Sequence, residues 1–138
     1  MTQATETTTS TVPFDIVTWD EHTYDEPTAG PRLTHATLEK RYTGDLEATG
    51  IARVLTAQGD GGRGYVASER VTGTLMGRTG TFVIQHGAAG ASDEPEEVAL
   101  GVIVGGSGTG ELTGLRGEVA FRHDQDGARV TISWRLAD

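Results

Sequence analysis

The sequence contains no cysteine among its 138 residues. Disulfide bonds, thiolate metal sites and cysteine nucleophiles are therefore excluded, and nothing indicates an oxidising compartment. The chain also lacks an apolar run of about 18 residues, which a membrane-spanning helix would need. Its N-terminus lacks the basic and apolar order of a signal peptide. We therefore expect a soluble cytoplasmic protein, and the length predicts one domain with a core of its own.

Positive charge is also scarce in this chain. Eleven lysine and arginine residues, of which Lys40 is the only lysine, stand against 20 acidic residues, and the formal net charge is −9. Nucleic-acid binding normally depends on clustered basic residues that neutralise phosphates. The sequence therefore favours neither a nucleic-acid nor a membrane partner, and the acidity is most simply explained by solubility.

No segment shows the 3.6-residue periodicity of an amphipathic helix. Instead, clusters of Gly, Asp and Pro alternate with short runs rich in Val, Ile, Thr and aromatic residues, a pattern typical of all-β domains. Residues 1–12 are rich in threonine and lack hydrophobic periodicity, which predicts a flexible tail before a single domain over residues 13–138. Eight strands are predicted, near residues 13–21, 32–43, 45–56, 64–76, 79–87, 97–104, 113–123 and 128–136.

An even number of strands joined by short turns predicts an eight-stranded antiparallel up-and-down β-barrel, since closure removes exposed sheet edges. An open sandwich is the alternative. A barrel of eight strands has room for packed side chains or for one small ligand.

The stretch from Glu69 to Gly87 predicts a hairpin. Gly77-Arg78 fits a two-residue type II′ turn, which needs glycine at its first position. Pairing outward from this turn places Glu69 opposite His86 on a face that is otherwise apolar, so this face is expected to point inward. The other side chains of that face are Tyr65, Val71, Leu75, Phe82 and Ile84.

Two further hairpins are predicted from their turns. Asp126-Gly127 is a strong type I′ signal and would place Phe121 opposite Ile132 and Val119 opposite Trp134. A turn at Gly44-Asp45 would pair Leu38 with Ile51 and Tyr42 with Glu47, and it leaves open which face of that hairpin points inward.

A carboxylate beside an imidazole on an apolar face is a candidate site. Burial raises the pKa of a carboxyl group, whereas a neighbouring imidazolium lowers it, and such opposed effects can tune a group for proton exchange. Glu69 and His86 are therefore predicted as an acid/base couple. Two structural alternatives remain: a hydrogen-bonded pair that fixes strand register, or a pair exposed at the rim that contributes less than about 1 kcal/mol.

Other motifs indicate little chemistry. The glycine-rich stretch Gly105–Leu112 is followed by a strand rather than a helix and has no P-loop lysine, so it predicts a tight loop that closes one end of the barrel. The four histidines share no metal-ligand spacing, and no metal or cofactor is expected. Trp19 and Trp134 are predicted to lie in the core, with contact to an apolar ligand as the second interpretation.

Several motifs together resemble the DUF3224 family. They are Trp19-Asp20-Glu21, the stretch Tyr42–Glu47, the hairpin Glu69–Val83 with Gln85-His86-Gly87, and Gly106–Leu112 followed by Gly117-Glu118. The likeness spans residues 13–136, and that family is similar to the allene oxide cyclase-like barrels. The resemblance implies an eight-stranded, calycin-like barrel, often with a cavity, but it defines no catalytic residue.

These observations lead to three functional hypotheses. The first is a cofactor-independent cyclase or isomerase that folds a small hydrophobic molecule, polyketide-like or lipid-like, within the barrel. In it, Glu69 and His86 exchange protons or orient the substrate. The second is a lipocalin-like carrier or sensor that uses the same cavity, and the third is a filled barrel that serves as an assembly partner; a homo-oligomer is left open. The residues expected to contact the ligand are Trp19, Tyr65, Val71, Phe82, Ile84 and Trp134.

Overall fold

The computed structural model describes residues 6–95 and 97–137. Within them the chain forms eight strands and one short 3₁₀ helix. The strands are β1 (Thr8–Asp25), β2 (Arg32–Tyr42), β3 (Leu46–Gln58), β4 (Gly62–Leu75), β5 (Arg78–Ala91), β6 (Val98–Ile103), β7 (Leu115–Asp124) and β8 (Gly127–Leu136), and the 3₁₀ helix is Gly110–Leu112.

Each strand pairs antiparallel with its neighbour in sequence, and β1 pairs with β8, which closes the sheet into a barrel. Where β1 and β8 pair, closure covers the strand edges that another chain could otherwise extend. Buried and exposed residues alternate along the central strands, as in β4, where Ala67, Glu69 and Val71 are buried between exposed neighbours. The predicted all-β, antiparallel, eight-stranded architecture is confirmed. No helix within the described residues is long and apolar enough to cross a membrane.

The first strand begins earlier than the sequence indicated. Thr8–Pro13 pair with β8, and the side chains of Ser10 and Val12 are buried inside the barrel. The second half of the predicted tail is therefore part of the sheet, because it supplies the partner that closes the barrel against β8. Residues 1–5 of that tail lie outside the described residues.

The turn between β4 and β5 is one residue earlier than predicted. Met76 and Gly77 form it, with φ of 48° and 84°, as a type I′ turn requires of both central residues. Glu69 therefore pairs with Ile84, and His86 pairs with Ala67, so the predicted direct pairing of Glu69 with His86 is wrong. A shift of two residues keeps every side chain on its predicted face, and the two remain diagonal neighbours inside the barrel.

The other two hairpins also differ in register. The turn between β7 and β8 is Gln125-Asp126, so Phe121 pairs with Val130 rather than Ile132 and again keeps its face. Between β2 and β3 the connection is one residue longer than a two-residue turn, and Leu38 pairs with Ala52 instead of Ile51. That change of one residue decides the inward face: it turns Leu38 and Lys40 inward and leaves Ile51 exposed.

The glycine-rich loop closes one end of the barrel, as predicted. The backbone nitrogen of Thr109 donates to the Thr81 oxygen at 2.8 Å, and the Val83 nitrogen donates to the Ser107 hydroxyl at 3.0 Å, so the loop is fastened along β5. Leu112 from the 3₁₀ helix is fully buried in the main hydrophobic cluster. This is the closed end.

The opposite end carries the β1–β2, β3–β4, β5–β6 and β7–β8 connections, and its wall is incomplete. β1 pairs with β8 only as far as Pro13, although it continues to Asp25. β6 and β7 pair only at Val102 and Ile103. The sheet formed by β2–β5 and the second half of β1 therefore extends beyond the β7–β8 hairpin, and this is the open end.

Candidate polar site inside the barrel

Glu69 is the centre of the polar cluster in the barrel. Its side chain is fully buried, and β4 directs it inward between Ala67 and Val71. The Nζ of Lys40 donates to Oε1 at 2.9 Å, and the hydroxyl of Tyr42 donates to Oε2. The Nε2 of His86 lies 3.4 Å from Oε1. Three inward side chains from two other strands therefore surround one carboxylate.

The pKa of Glu69 reflects opposed effects. Burial raises it, but the close approach of His86, the hydrogen bonds from Tyr42 and Lys40 and the charge of Lys40 outweigh burial and hold the pKa below the usual value. Glu69 is therefore an anion in the folded protein at neutral pH. An ionised carboxylate with three partners is well suited to orient its neighbours and is a weak proton acceptor.

Lys40 is a buried cation with two kinds of partner. Besides Glu69, its ammonium group lies 4.5 Å from the ring centroid of Phe121 and 5.0 Å from that of Phe14, at the distance of cation–π contacts. The sequence analysis did not assign Lys40 or Tyr42 to the site. The signal that could have found them is the alternation Ala36, Leu38, Lys40, Tyr42 along β2, in which the sole lysine stands in an otherwise apolar inward row.

His86 links this cluster to the open end. Its Nδ1 is 3.2 Å from the hydroxyl of Tyr65, and its ring stacks on Phe121 with centroids 4.2 Å apart. Nε2 is buried and forms no hydrogen bond with the described residues, although Oε1 of Glu69 lies 3.4 Å away. The tautomer with its proton on Nε2 would direct that proton toward Glu69 and leave Nδ1 to accept from the Tyr65 hydroxyl.

Tyr65 is the member of the cluster that approaches solvent. It is half-buried, and it is the next inward-facing residue of β4 after Ala67 in the direction of the open end. Burial raises the pKa of its phenol, and the carboxylates of Glu97 and Glu69 raise it further. Tyr65 therefore keeps its proton at neutral pH. Glu69, His86 and Tyr65 form a continuous series from the sealed core to the open end.

The inward face of the open end holds a second polar group around Glu21. The hydroxyl of Thr34 donates to Oε2 at 2.7 Å, the indole of Trp19 donates to Oε1 at 2.9 Å, and the amide of Gln58 donates to Oε2 at 2.8 Å. The hydrogen bonds from Thr34 and Trp19 hold the pKa of Glu21 below its usual value. This part of the rim of the open end is thus polar.

Trp19 does not lie in the core, in contrast to the prediction. It pairs with Leu38, so it is on the inward-facing side of β1, yet 57% of its surface is exposed. The reason is that β1 has no β8 partner beyond Pro13, and no opposite wall covers the indole. Its placement at the rim leaves its predicted role as a ligand contact open.

The remaining predicted ligand contacts lie deep in the barrel. All four are buried in the main hydrophobic cluster, between Glu69 and the closed end or beside it. They pack against one another and against the core, so a role in ligand contact stays a prediction for them. They are Val71, Phe82, Ile84 and Trp134.

The histidines do not form a metal site. Among the described residues, no group of three or more His, Asp or Glu side chains could hold a metal ion. His22 and His35 pair on adjacent strands of the outer surface, with ring centroids 5.4 Å apart, while His86 is inside the barrel.

These features define a class: a small, closed antiparallel β-barrel with an ion pair in its core and a tyrosine at its open end. A family model described as "Protein of unknown function (DUF3224)" matches residues 10–135. The chain belongs to this family. It is similar to the crystal structure of a DUF3224 protein of unknown function from Shewanella oneidensis MR-1, with 34% identity and a TM-score of 0.83 over 95% of this chain and 98% of that one. No curated protein matches the chain.

Proposed function

We propose that the protein is a cofactor-independent enzyme of the cyclase or isomerase type, acting on a small hydrophobic, polyketide-like or lipid-like molecule bound at the open end of the barrel. The observation that carries the proposal is the series Glu69, His86 and Tyr65, with 3.4 Å from carboxylate to imidazole and 3.2 Å from imidazole to phenol. A buried anion that orients an imidazole, which in turn accepts from a hydroxyl, is the arrangement that activates hydroxyl groups in enzymes.

In the proposed step, the oxygen of Tyr65 takes a proton from an acidic C–H of the substrate while its own proton passes to Nδ1 of His86. The imidazolium that forms is stabilised by the Glu69 carboxylate on its other nitrogen. After exchange with solvent at the open end, a proton is returned through Tyr65 to a different substrate atom, while His86 gives its proton back to Tyr65. The enzyme then ends as it began, and the substrate is isomerised or closed into a ring without a cofactor.

Tyr65 is the catalytic residue in this scheme, because it is the member of the series that a ligand can touch. Glu69 and His86 are buried and act through it. The rings of Phe121 and Trp19 and the polar rim around Glu21 would hold the substrate in a reactive shape. The likeness of DUF3224 motifs to allene oxide cyclase-like barrels also supports a cyclase, though only as an analogy of fold.

A non-catalytic binding barrel is the second candidate. The observation that favours it is the saturation of Glu69: Lys40 and Tyr42 already satisfy the carboxylate, as expected for a cluster that fixes the packing of a core. In that case the open end would bind an apolar molecule without changing it.

Deuterium exchange distinguishes the two functions. The protein would be incubated in D₂O with a panel of small apolar ketones that carry an acidic C–H, and deuterium uptake would be followed by mass spectrometry. The enzyme should accelerate exchange for at least one member, and Tyr65→Phe should reduce that acceleration by about 10²–10⁴-fold, the usual contribution of acid/base catalysis. Tyr24→Phe is the matched control, because it removes the same hydroxyl from a tyrosine that is 54% exposed and stacks on His35, outside the series.

Exchange at the uncatalysed rate for every ketone would count against the enzyme. If some of those ketones still raise the melting temperature of the protein, the binding barrel becomes the better description. Equal acceleration by wild type and Tyr65→Phe would remove Tyr65 from the mechanism.

A further inference from the structure

The outward side of β2–β6 carries an apolar surface unlike the rest of the barrel. Leu55 and Val66 are direct partners in the sheet, and Gly87 joins Val66 to Leu100, so the three large side chains form one outward row. They are 51%, 60% and 67% exposed. We call this row the apolar ridge.

Grooves of about 490 Å³ and about 620 Å³ run along the two sides of the apolar ridge. Leu33, Ala57, Ala89 and Val98 form the far wall of the first, and Thr37, Arg53, Ser68 and Gln85 form that of the second. The ridge and its two grooves together are the outer face. An uncovered apolar face of this extent is typical of an interaction site.

The charge of the outer face restricts its partner. Arg53 is the only Arg, Lys, Asp or Glu among the described residues that line the two grooves, although the chain carries 20 acidic residues and a net charge of −9. An anionic lipid surface is disfavoured by that net charge, because membrane attraction depends on basic clusters. A second copy meets no such obstacle here, since the outer face brings no carboxylates together.

The shape of the outer face also suits a second copy. In a two-fold interface the same patch serves both subunits and must be complementary to itself. A ridge with a groove beside it meets that condition, because the ridge of each copy can enter the groove of the other.

We propose that two copies of this chain associate through the outer face as a two-fold symmetric dimer, with Leu55, Val66 and Leu100 of each copy seated in a groove of its partner. Five strands at a spacing of about 4.8 Å make the face about 19 Å wide. With three outward rows along the strands, its corrugated surface is of the order of the roughly 600 Å² per partner that the smaller stable interfaces bury. The dimer leaves both open ends free for ligand, so this inference does not depend on the proposed function.

Sedimentation equilibrium of the full chain over micromolar to millimolar concentrations tests the proposal. Wild type should reach twice the chain mass of 14.5 kDa, and Leu100→Glu should weaken association at least 100-fold. Met76→Glu is the matched control, since Met76 is 50% exposed at the β4–β5 turn, away from the outer face; it should remain a dimer. Val66→Thr keeps a β-branched residue in the strand and should weaken association at least 10-fold. This variant carries the test if Leu100→Glu fails to fold.

A wild-type protein that stays at the single-chain mass throughout would overturn the proposal. So would a dimer unaffected by both outer-face substitutions, or a stoichiometry other than two. A single-chain species that binds anionic or neutral phospholipid vesicles would assign the outer face to a lipid surface instead, and would equally overturn it.

Discussion

The ammonium of Lys40 lies 2.9 Å from Oε1 of Glu69 inside a barrel where both side chains are almost wholly buried. Both partners of a buried ion pair lose hydration. Substitution of one partner alone is costly because the other charge stays buried without a counter-charge. The pair is therefore expected to affect the free energy of unfolding whether or not the site is catalytic.

We predict strong coupling between these two residues. Lys40→Met and Glu69→Gln should each lower the free energy of unfolding by about 3–5 kcal/mol, because each breaks a buried pair and leaves its partner uncompensated. The double variant should lose clearly less than the sum of the two, by about 1–3 kcal/mol. Urea unfolding of the four proteins measures this coupling.

The exposed pair of Arg129 and Asp124 provides the control. Arg129→Met removes a contact of 2.9 Å at the surface, where solvent screens the charges, so its effect on unfolding should be far smaller than that of Lys40→Met. Additive losses in the Lys40 and Glu69 variants would mean that the two charges do not stabilise one another.

The stability of the folded protein should depend on pH through the ionisation of Glu69. Its pKa in the folded protein is lower than the unfolded value near 4.5, so the unfolded state binds the proton more tightly. The stabilisation is therefore complete above that value and is lost as the pH falls through the lower, folded pKa. Melting temperatures measured from about pH 6 to about pH 3 should fall more steeply for wild type than for Glu69→Gln.

Glu21 and Asp124 also have lowered pKa values, but both are present in wild type and in Glu69→Gln. The difference between the two curves therefore isolates Glu69. Parallel curves would show that this carboxylate is not held as an anion.

The polar cluster leaves no room on β3 for a side chain at Gly50. A Cβ there would lie 2.2 Å from Oε2 of Glu69 and 3.0 Å from a ring carbon of Tyr42. Gly50→Ala should therefore displace the carboxylate and lower the free energy of unfolding by about 1–3 kcal/mol, as overpacking does. Thermal unfolding would measure it against Gly61→Ala, where nothing lies within 4 Å; equal melting temperatures for the two variants would contradict the packing described.

The closed end offers a second glycine test within one loop. A Cβ on Gly108 would lie 1.9 Å from the Leu112 backbone oxygen, whereas one on Gly105 would meet nothing within 4 Å. Gly108→Ala should loosen the loop, lower the melting temperature and speed amide exchange at Thr109, whose nitrogen bonds to β5. Gly105→Ala should leave both unchanged; similar behaviour of the two would mean that the loop does not seal the barrel.

The alternation of apolar residues predicted the faces of β4, β5, β7 and β8 correctly, because a two-residue error in a turn preserves the face. Between β2 and β3 the predicted strand register was wrong by one residue, so the inward position of Lys40 was not recognised. The exposure of Trp19 could not be read from its own strand, since it depends on where β8 stops. The approach of Tyr42 and Lys40 to Glu69 likewise depends on the curvature of the sheet across β3, which brings together residues 27 and 29 positions apart in sequence.

The proton on His86 is the most direct test of the series from Glu69 to Tyr65. Two-bond ¹H–¹⁵N correlation spectra of the imidazoles in mildly alkaline solution would resolve it. We expect one histidine in wild type with its proton fixed on Nε2, toward Glu69, and an Nδ1 resonance that shifts in Tyr65→Phe, where the donor to that nitrogen is lost. A His86 protonated on Nδ1 or on both nitrogens, or an Nδ1 resonance unchanged by Tyr65→Phe, would contradict the series.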